Sequence, residues 1–344
     1  MSVARWIRRL AVAGVLLCFT VVVLGAYVRL TAAGLGCPDW PGCYGHLSPI
    51  GAAASAGEAA YADRPLEPGK AWREMVHRYA ATALGLTILA IAVLAIKARR
   101  QRLVSVPFAL ALLGLVVVQG MLGMLTVTWQ LKPLIVTLHL LFGMTTLALL
   151  WWLMLSLPTG RWGSSALTGP GRAIQGGGAS PLISAWRLTL LGLTALALQI
   201  ALGGWTSSNY AALACPDLPT CQGAWWPHTD YRAAFVLWHG LNVNYEGGVL
   251  NNPARVAIHL THRLSAVVTT VTLALAALFV LQRRGLAAAR PRAWALLAAL
   301  GLQLLIAVSM VLKSLPLWLA TLHTAGAALL LLATLALLRS LSAR

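Results

Sequence analysis

GAYVRLTAAGLGCPDWPGC at residues 25–43 and GGWTSSNYAALACPDLPTC at residues 203–221 are the two stretches that decide the fold. They align without a gap at an offset of 178, and both end in C-P-D-x-P-x-C after an apolar segment. Two matches follow in the same order: Val76-His77-Arg78 with Thr261-His262-Arg263, and Thr137-Leu138-His139 with Thr321-Leu322-His323. Three ordered matches that end on Cys, Arg or His indicate an internal duplication.

The composition predicts an integral membrane protein. Of 344 residues, 59% are hydrophobic and only 10% are charged, against roughly 25% charged in soluble domains. Lipid offers the backbone no hydrogen-bond partners, so apolar segments of about 20 residues are expected to be spanning helices. Eight such segments lie at residues 10–28, 75–96, 104–127, 134–157, 187–207, 255–281, 293–313 and 317–338.

The distribution of charge predicts the orientation. Arg5, Arg8 and Arg9 precede the first span, and most other basic residues lie in segments on that same side. All 8 acidic residues lie in the opposite segments or at the helix ends there. The positive-inside rule therefore places both termini in the cytoplasm and the cysteine loops outside. The net charge of +18 orients a membrane protein, and no nucleic-acid partner is expected.

The predicted fold class is all-α integral membrane, with eight transmembrane helices in two pseudo-symmetric four-helix bundles. Residues 1–157 form the amino-terminal half and residues 187–344 the carboxyl-terminal half. Between them, residues 158–186 are rich in Gly and Ser and predict a flexible cytoplasmic linker. The segment from Tyr231 to Asn244 predicts a short interfacial helix over the second half.

Each half carries one histidine on its second span and one on its fourth. A histidine inside a span is expected to face a partner, and the matched spacings place each pair, His77 with His139 and His262 with His323, at one depth near the outer surface. Two facing imidazoles within four helices suit a porphyrin iron. One alternative is that each histidine only hydrogen-bonds a neighbouring helix. Zinc or copper is a weaker alternative, because the first half offers no third ligand nearby.

Residues beside these histidines suggest different tasks for the two halves. Arg78 and Arg263 directly follow the second-span histidines and suit either haem propionates or the outer headgroups. Glu74 lies one turn before His77, where a carboxylate either exchanges a proton beside a haem or pairs with a nearby arginine. The second half has His259 at that position, as a haem neighbour or as polar packing. One haem site is therefore expected to do chemistry and the other to serve it.

Two cysteine pairs lie in the outer loops. Cys37 and Cys43 enclose five residues with two prolines, and Cys215 and Cys221 repeat this arrangement. Because disulfides persist outside the cytosol, we expect both pairs to be bridged within their own loops. The bonds are either structural or, for the first pair, open to thiol exchange.

Together these residues resemble the haem A synthases, CtaA-type membrane enzymes of terminal-oxidase assembly. The resemblance rests on Arg29 to Cys43, on Glu74-Met75-Val76-His77-Arg78 and on the three other span histidines; Ala32-Ala33 departs from the family's Gly-Ser-like pair. It implies oxidation of the C8 methyl of haem O to a formyl group, through two successive hydroxylations and loss of water.

The resemblance also implies a role for each site residue. His77 and His139 would approach haem O as substrate, with Glu74 as the catalytic glutamate. His262 and His323 would be the axial ligands of haem b, the cofactor. Both cysteine pairs match those of the cysteine-bearing branch of the family.

The resemblance further implies a bacterial cytoplasmic-membrane enzyme. Its partners would be the farnesyltransferase that makes haem O, the terminal oxidase under assembly and an electron donor that the sequence does not identify; a homo-oligomer is compatible with the sequence. The alternatives are a di-haem electron-transfer protein of cytochrome b type, a haem or lipid transporter, and a thiol–disulfide oxidoreductase.

Overall fold

The computed structural model describes residues 3–54, 61, 64–157, 180–240 and 242–342. Over these residues it is helical, with eight helices long and apolar enough to cross a membrane, which confirms the predicted class. They are α1 Val3–Leu30, α2 Pro68–Lys97, α3 Val106–Thr128, α4 Pro133–Ser156, α5 Ser180–Ser208, α6 Asn252–Gln282, α7 Arg290–Leu312 and α8 Leu317–Leu341.

Proline sets the start of many of these helices. It occupies the first or second position of α2, α3, α4, α6 and α7, where its fixed φ suits a helix and its missing N–H would lack an intrahelical partner. At α6 the Asn251 side chain also accepts a hydrogen bond from the Ala254 N–H, which caps the helix.

Several helices extend beyond the apolar segments that predicted them. The helix α5, for example, begins at Ser180 rather than at 187. Apolar length finds only the part that crosses lipid, whereas the backbone hydrogen bonds continue past it. Residues 180–186 of the predicted linker are therefore helical, and its residues 158–179 lie outside the described residues.

The helix contacts separate a central layer from the flanking helices. In the first half, α1 and α3 each contact both α2 and α4; in the second, α5 and α7 each contact both α6 and α8. Contacts between the halves are made by α1, α4, α5 and α8. The Trp151 Nε1 of α4, for example, donates to the Leu332 carbonyl of α8 at 3.0 Å. The relation of the halves by a pseudo-twofold axis stays a prediction.

Unusual backbone conformations recur at equivalent positions of the repeat. The shared features are a left-handed residue after the first span, a cis proline and a left-handed residue in the cysteine loop, and a left-handed pair between the third and fourth spans. They are Ala32 and Tyr210, Trp40–Pro41 and Leu218–Pro219, Tyr44 and Gln222, and Gln130-Leu131 and Ser314-Leu315.

Two cations connect the halves at the end of the bundle that carries the cysteine loops. Arg29 Nη2 donates to the Ser207 carbonyl at 2.8 Å, with its guanidinium over the Tyr210 ring. Lys132 Nζ donates to the Gly240 carbonyl at 3.0 Å. Each side chain thus satisfies a carbonyl of the opposite half, which fixes the outer segments relative to one another.

The predicted helix from Tyr231 to Asn244 is wrong over most of its length. Of its described residues, only Tyr231–Ala234 are helical, with Asp230 as the cap. Farther along, Gly240 and Asn242 adopt positive φ values of 96° and 60°, which a continuous right-handed helix does not permit.

Candidate functional site

The two histidines of the first half lie near each other and close to small residues. His77 of α2 and His139 of α4 are close enough to interact electrostatically. A Cβ added at Gly25 of α1 would be 3.0 Å from His77 Cε1, and one at Gly123 of α3 would be 3.4 Å from His139 Cε1. Glycine therefore allows each imidazole to lie against a helix backbone.

One ring nitrogen of each histidine in this first pair has no hydrogen-bond partner. Nδ1 of His77 and Nδ1 of His139 are buried and have no hydrogen-bond partner among the described residues. Buried polar atoms are normally paired, so these two atoms are open to a group that the protein itself does not supply. An iron porphyrin between the rings fits that requirement.

The second half repeats this placement. His262 of α6 lies against Gly203 of α5, where an added Cβ would be 3.2 Å from its Cε1. His262 and His323 of α8 are close enough to interact electrostatically. The structure thus brings the four predicted histidines together in two pairs, one in each half.

Sequence reasoning missed a glutamine in the third span of each half. Gln119 Nε2 donates to the His139 carbonyl at 2.9 Å, and Gln303 Nε2 donates to the His323 carbonyl at 3.1 Å. Both glutamines are separated by the offset of 184 that also relates the two histidines. A duplicated amide inside a span is a signal that would have identified them.

Glu74 is buried and held at both of its oxygens. The residue is 4% exposed. Its Oε2 accepts the Cys37 N–H at 2.9 Å, and its Oε1 accepts Arg78 Nη2 at 2.6 Å. The carboxylate is therefore fixed between the first cysteine loop and α2, one turn from His77. Of the two roles considered for Glu74, pairing with an arginine is observed, and it is compatible with proton exchange.

Both arginines that follow the second-span histidines bind the cysteine loops. Arg78 Nη1 donates to the carbonyls of Asp39 and Pro41 at 3.0 and 3.3 Å, and also to that of Gly42. Arg263 donates to the carbonyls of Cys215, Asp217 and Thr220 at 2.8–2.9 Å. A propionate would have to share these donors with the loop, so the predicted propionate contacts stay a prediction.

His259, the counterpart of Glu74, makes a hydrogen bond of its own. Its Nδ1 lies 3.1 Å from the Ala211 carbonyl, and the side chain is buried. The equivalent place in the first half has a carboxylate that accepts from a backbone amide. The observed contact is the polar packing that the sequence had left open for His259.

The cysteine loops are closed by disulfides and folded by aspartate. Cys37 is bonded to Cys43 and Cys215 to Cys221, as predicted. The carboxylate of Asp39 accepts the amides of Tyr44 and Gly45 at 2.6 and 2.8 Å.

Asp217 repeats this arrangement in the second loop. Its carboxylate accepts the amides of Gln222 and Gly223 and the Thr220 hydroxyl. The Thr220 hydroxyl, followed by the Gly223 amide, lowers the pKa of Asp217 to about 2. The Asp of C-P-D-x-P-x-C is thus the acceptor around which each loop turns, a role that sequence reasoning missed.

A cluster of three or more His, Cys, Asp or Glu side chains able to hold a metal ion is not found within the described part of the chain. The metal-binding potential there rests on the two histidine pairs.

Fold and site together define a multi-pass helical membrane protein with one pair of histidines in each half and a buried glutamate in the first. The chain belongs to the COX15-CtaA family, described as cytochrome oxidase assembly protein, whose model matches residues 8–335. It is 40% identical over 331 residues to the Heme A synthase of Shewanella oneidensis, an alignment that covers 95% of this chain and 93% of that protein. The family that the motifs indicated is confirmed.

Proposed function

We propose that this chain is a haem A synthase that oxidises the C8 methyl of haem O to a formyl group. The methyl is hydroxylated twice, and loss of water from the resulting gem-diol gives the formyl group. The proposal rests on one observation: each half has a pair of histidines, and among the described residues only the first pair has a buried carboxylate beside it. Membership of the family and the similarity to a haem A synthase support the same reaction.

In this proposal residues 1–157 form the substrate half. His77 and His139 approach the haem O iron, for which their unpartnered Nδ1 atoms and the glycines behind their rings provide the fit. A farnesylated substrate would enter this site from the lipid phase.

Residues 187–344 form the cofactor half. His262 and His323 would hold haem b, and the close approach of Gly203 to the His262 ring leaves the imidazole no room to retreat. Haem b, when bound, supplies one-electron transfer to the substrate site. The protein's contribution is to keep these two rings at a fixed separation and orientation.

Glu74 accepts and returns protons at the edge of the substrate site. Oε2 is held by the Cys37 amide and Oε1 by Arg78, so the carboxylate stays oriented while it accepts or returns a proton. Arg78 compensates its charge when it is ionised. The cysteine loop above it, closed by Cys37–Cys43, shields this proton-transfer point from the outer solvent.

We further propose that the protein lies in a bacterial cytoplasmic membrane with both termini inside and the cysteine loops outside, consistent with the distribution of its charges. It would receive haem O from the farnesyltransferase that makes it and deliver the product to terminal-oxidase assembly. Electrons would come from a separate donor.

Pigment extraction from cells that supply haem O tests the reaction. Cells expressing this chain should yield formyl haem, whereas Glu74→Gln should retain bound haem and lose formyl haem by about 100-fold or more, since a positioned proton-transfer group contributes about 10²–10⁴-fold. Glu67→Gln is the matched control, because Glu67 precedes the same helix, is exposed and forms an ion pair with Lys70. Haem O alone in the wild-type extract would overturn the proposal.

A further inference from the structure

An amide side chain reaches the second-span imidazole in the carboxyl-terminal half. Gln199 Nε2 of α5 lies 3.2 Å from Nδ1 and 3.4 Å from Nε2 of His262. The other end of the amide, Gln199 Oε1, is buried and has no hydrogen-bond partner among the described residues. Gln199 therefore contacts the ring through its amide nitrogen, while its amide oxygen has no partner among the described residues.

The amino-terminal half lacks this contact. The offset of 178 that aligns Gly25 with Gly203 places Val21 at the position of Gln199. Gly25 and Gly203 bring the two rings equally close to their helices, so both imidazoles pass the same point on the neighbouring helix. At that position His262 meets a side-chain amide, whereas His77 meets only the backbone of Val21, and Nδ1 of His77 has no hydrogen-bond partner among the described residues.

The hydrogen-bond partner of the second ring nitrogen matters when an imidazole binds a metal. When one ring nitrogen binds a metal, the other carries a proton, and an acceptor for that N–H fixes the orientation of the ring and raises its basicity. A half-turn of the Gln199 amide exchanges its oxygen and nitrogen. Oε1 then faces Nδ1 of His262 and can accept its N–H, and the amide nitrogen takes the former place of the oxygen.

We infer that Gln199 is a positioning residue that holds His262 as a fixed ligand of the cofactor haem, and that Val21, whose side chain offers no hydrogen bond, holds the His77 ring less firmly so that the haem of the substrate site is released. The inference rests on the proposed function, because it deepens the assignment of the two halves. It assigns their different tasks, retention in one and release in the other, to one position of the repeat.

Haem release from the purified, haem-loaded protein tests the role of Gln199. Gln199→Val should release haem b to an excess of apomyoglobin about 10–100-fold faster, the range found when a partner of a metal-bound histidine is removed, and it should alter the low-spin electron paramagnetic resonance signal. Gln199→Glu, which keeps an acceptor, should restore slow release. Leu198→Val is the matched control, since Leu198 is adjacent and 60% exposed.

The reciprocal variant tests the other half. Val21→Gln should slow the release of haem O from the amino-terminal site by a comparable factor and lower turnover. Unchanged haem release and an unchanged spectrum in Gln199→Val, or unchanged haem O release in Val21→Gln, would overturn this inference while the proposed function stands. Wild-type protein that binds no haem at all would overturn both.

Discussion

The close approach of Gly203 to His262 makes a sharp prediction for Gly203→Ala. The added Cβ would be 3.2 Å from His262 Cε1, whereas carbon atoms in favourable contact are about 3.5–4.0 Å apart. The ring must therefore move by about 0.3–0.8 Å. Metal–ligand distances are tolerated within about 0.2 Å, so the displacement exceeds what a haem iron ligand can absorb.

The expected result is a selective loss of haem from one half. Gly203→Ala should bind haem b at least about 10-fold more weakly and lose the low-spin spectrum of that site, while haem O still binds the amino-terminal half. Gly25→Ala, whose Cβ would be 3.0 Å from His77 Cε1, should show the converse. Haem content by pyridine haemochrome, together with electron paramagnetic resonance, separates the two outcomes.

A glycine with free space around it supplies the control. A Cβ added at Gly301 of α7 would meet nothing within 4 Å. Gly301→Ala should therefore keep its haem and gain up to about 1 kcal/mol from the better helix propensity of alanine. If Gly203→Ala retained a full complement of haem with an unchanged low-spin spectrum, the assignment of His262 as a ligand packed against α5 would be refuted.

Two further predictions concern the second cysteine loop. Arg263→Met removes three hydrogen bonds to loop carbonyls. Hydrogen bonds from a charged group are worth about 1.5–3 kcal/mol each and water replaces part of them, so the free energy of unfolding should fall by about 2–4 kcal/mol. An unchanged thermal midpoint in detergent would contradict this. Because the pKa of Asp217 is lowered from 3.8 to about 2, its stabilisation is present above pH 3.8 and is lost as the pH falls towards 2. The midpoint difference between wild type and Asp217→Asn should shrink over that interval, and a constant difference would argue against an ionised acceptor.

The sequence predicted the class of fold because membrane insertion depends on few variables. Apolar length, the distribution of charge and a repeated pattern were sufficient to find the eight spans and the histidine pairs. The disulfides followed equally directly, since the cysteines of each pair are only six positions apart in the chain. These features are local or periodic in the chain, and the structure confirms the spans and the disulfides.

Other contacts depend on how a loop folds back, and these were not predictable. Arg78 and Arg263 bind backbone carbonyls that only the folded loops bring to them. The bond from His259 to the Ala211 carbonyl likewise joins residues 48 apart in the chain. The rotation of α5 that turns Gln199 toward His262 follows from tertiary packing. Periodicity states which residues share a face but not which atoms meet across helices.

The difference between Glu74 and His259 extends beyond the imidazole sites. In the first half the loop presents an N–H, from Cys37, to an acceptor on α2; in the second it presents a carbonyl, from Ala211, to a ring nitrogen on α6. The two side chains occupy equivalent positions, but their loop partners do not, because Cys37 aligns with Cys215 and Ala211 with Ala33. Without Glu74 the Cys37 N–H would lose its carboxylate acceptor, whereas the Ala211 carbonyl also accepts the Ala214 N–H at 3.1 Å. The reactive carboxylate is thus built into the attachment of the first cysteine loop, and a change in that loop reaches Glu74 through the Cys37 amide without any reaction at sulfur.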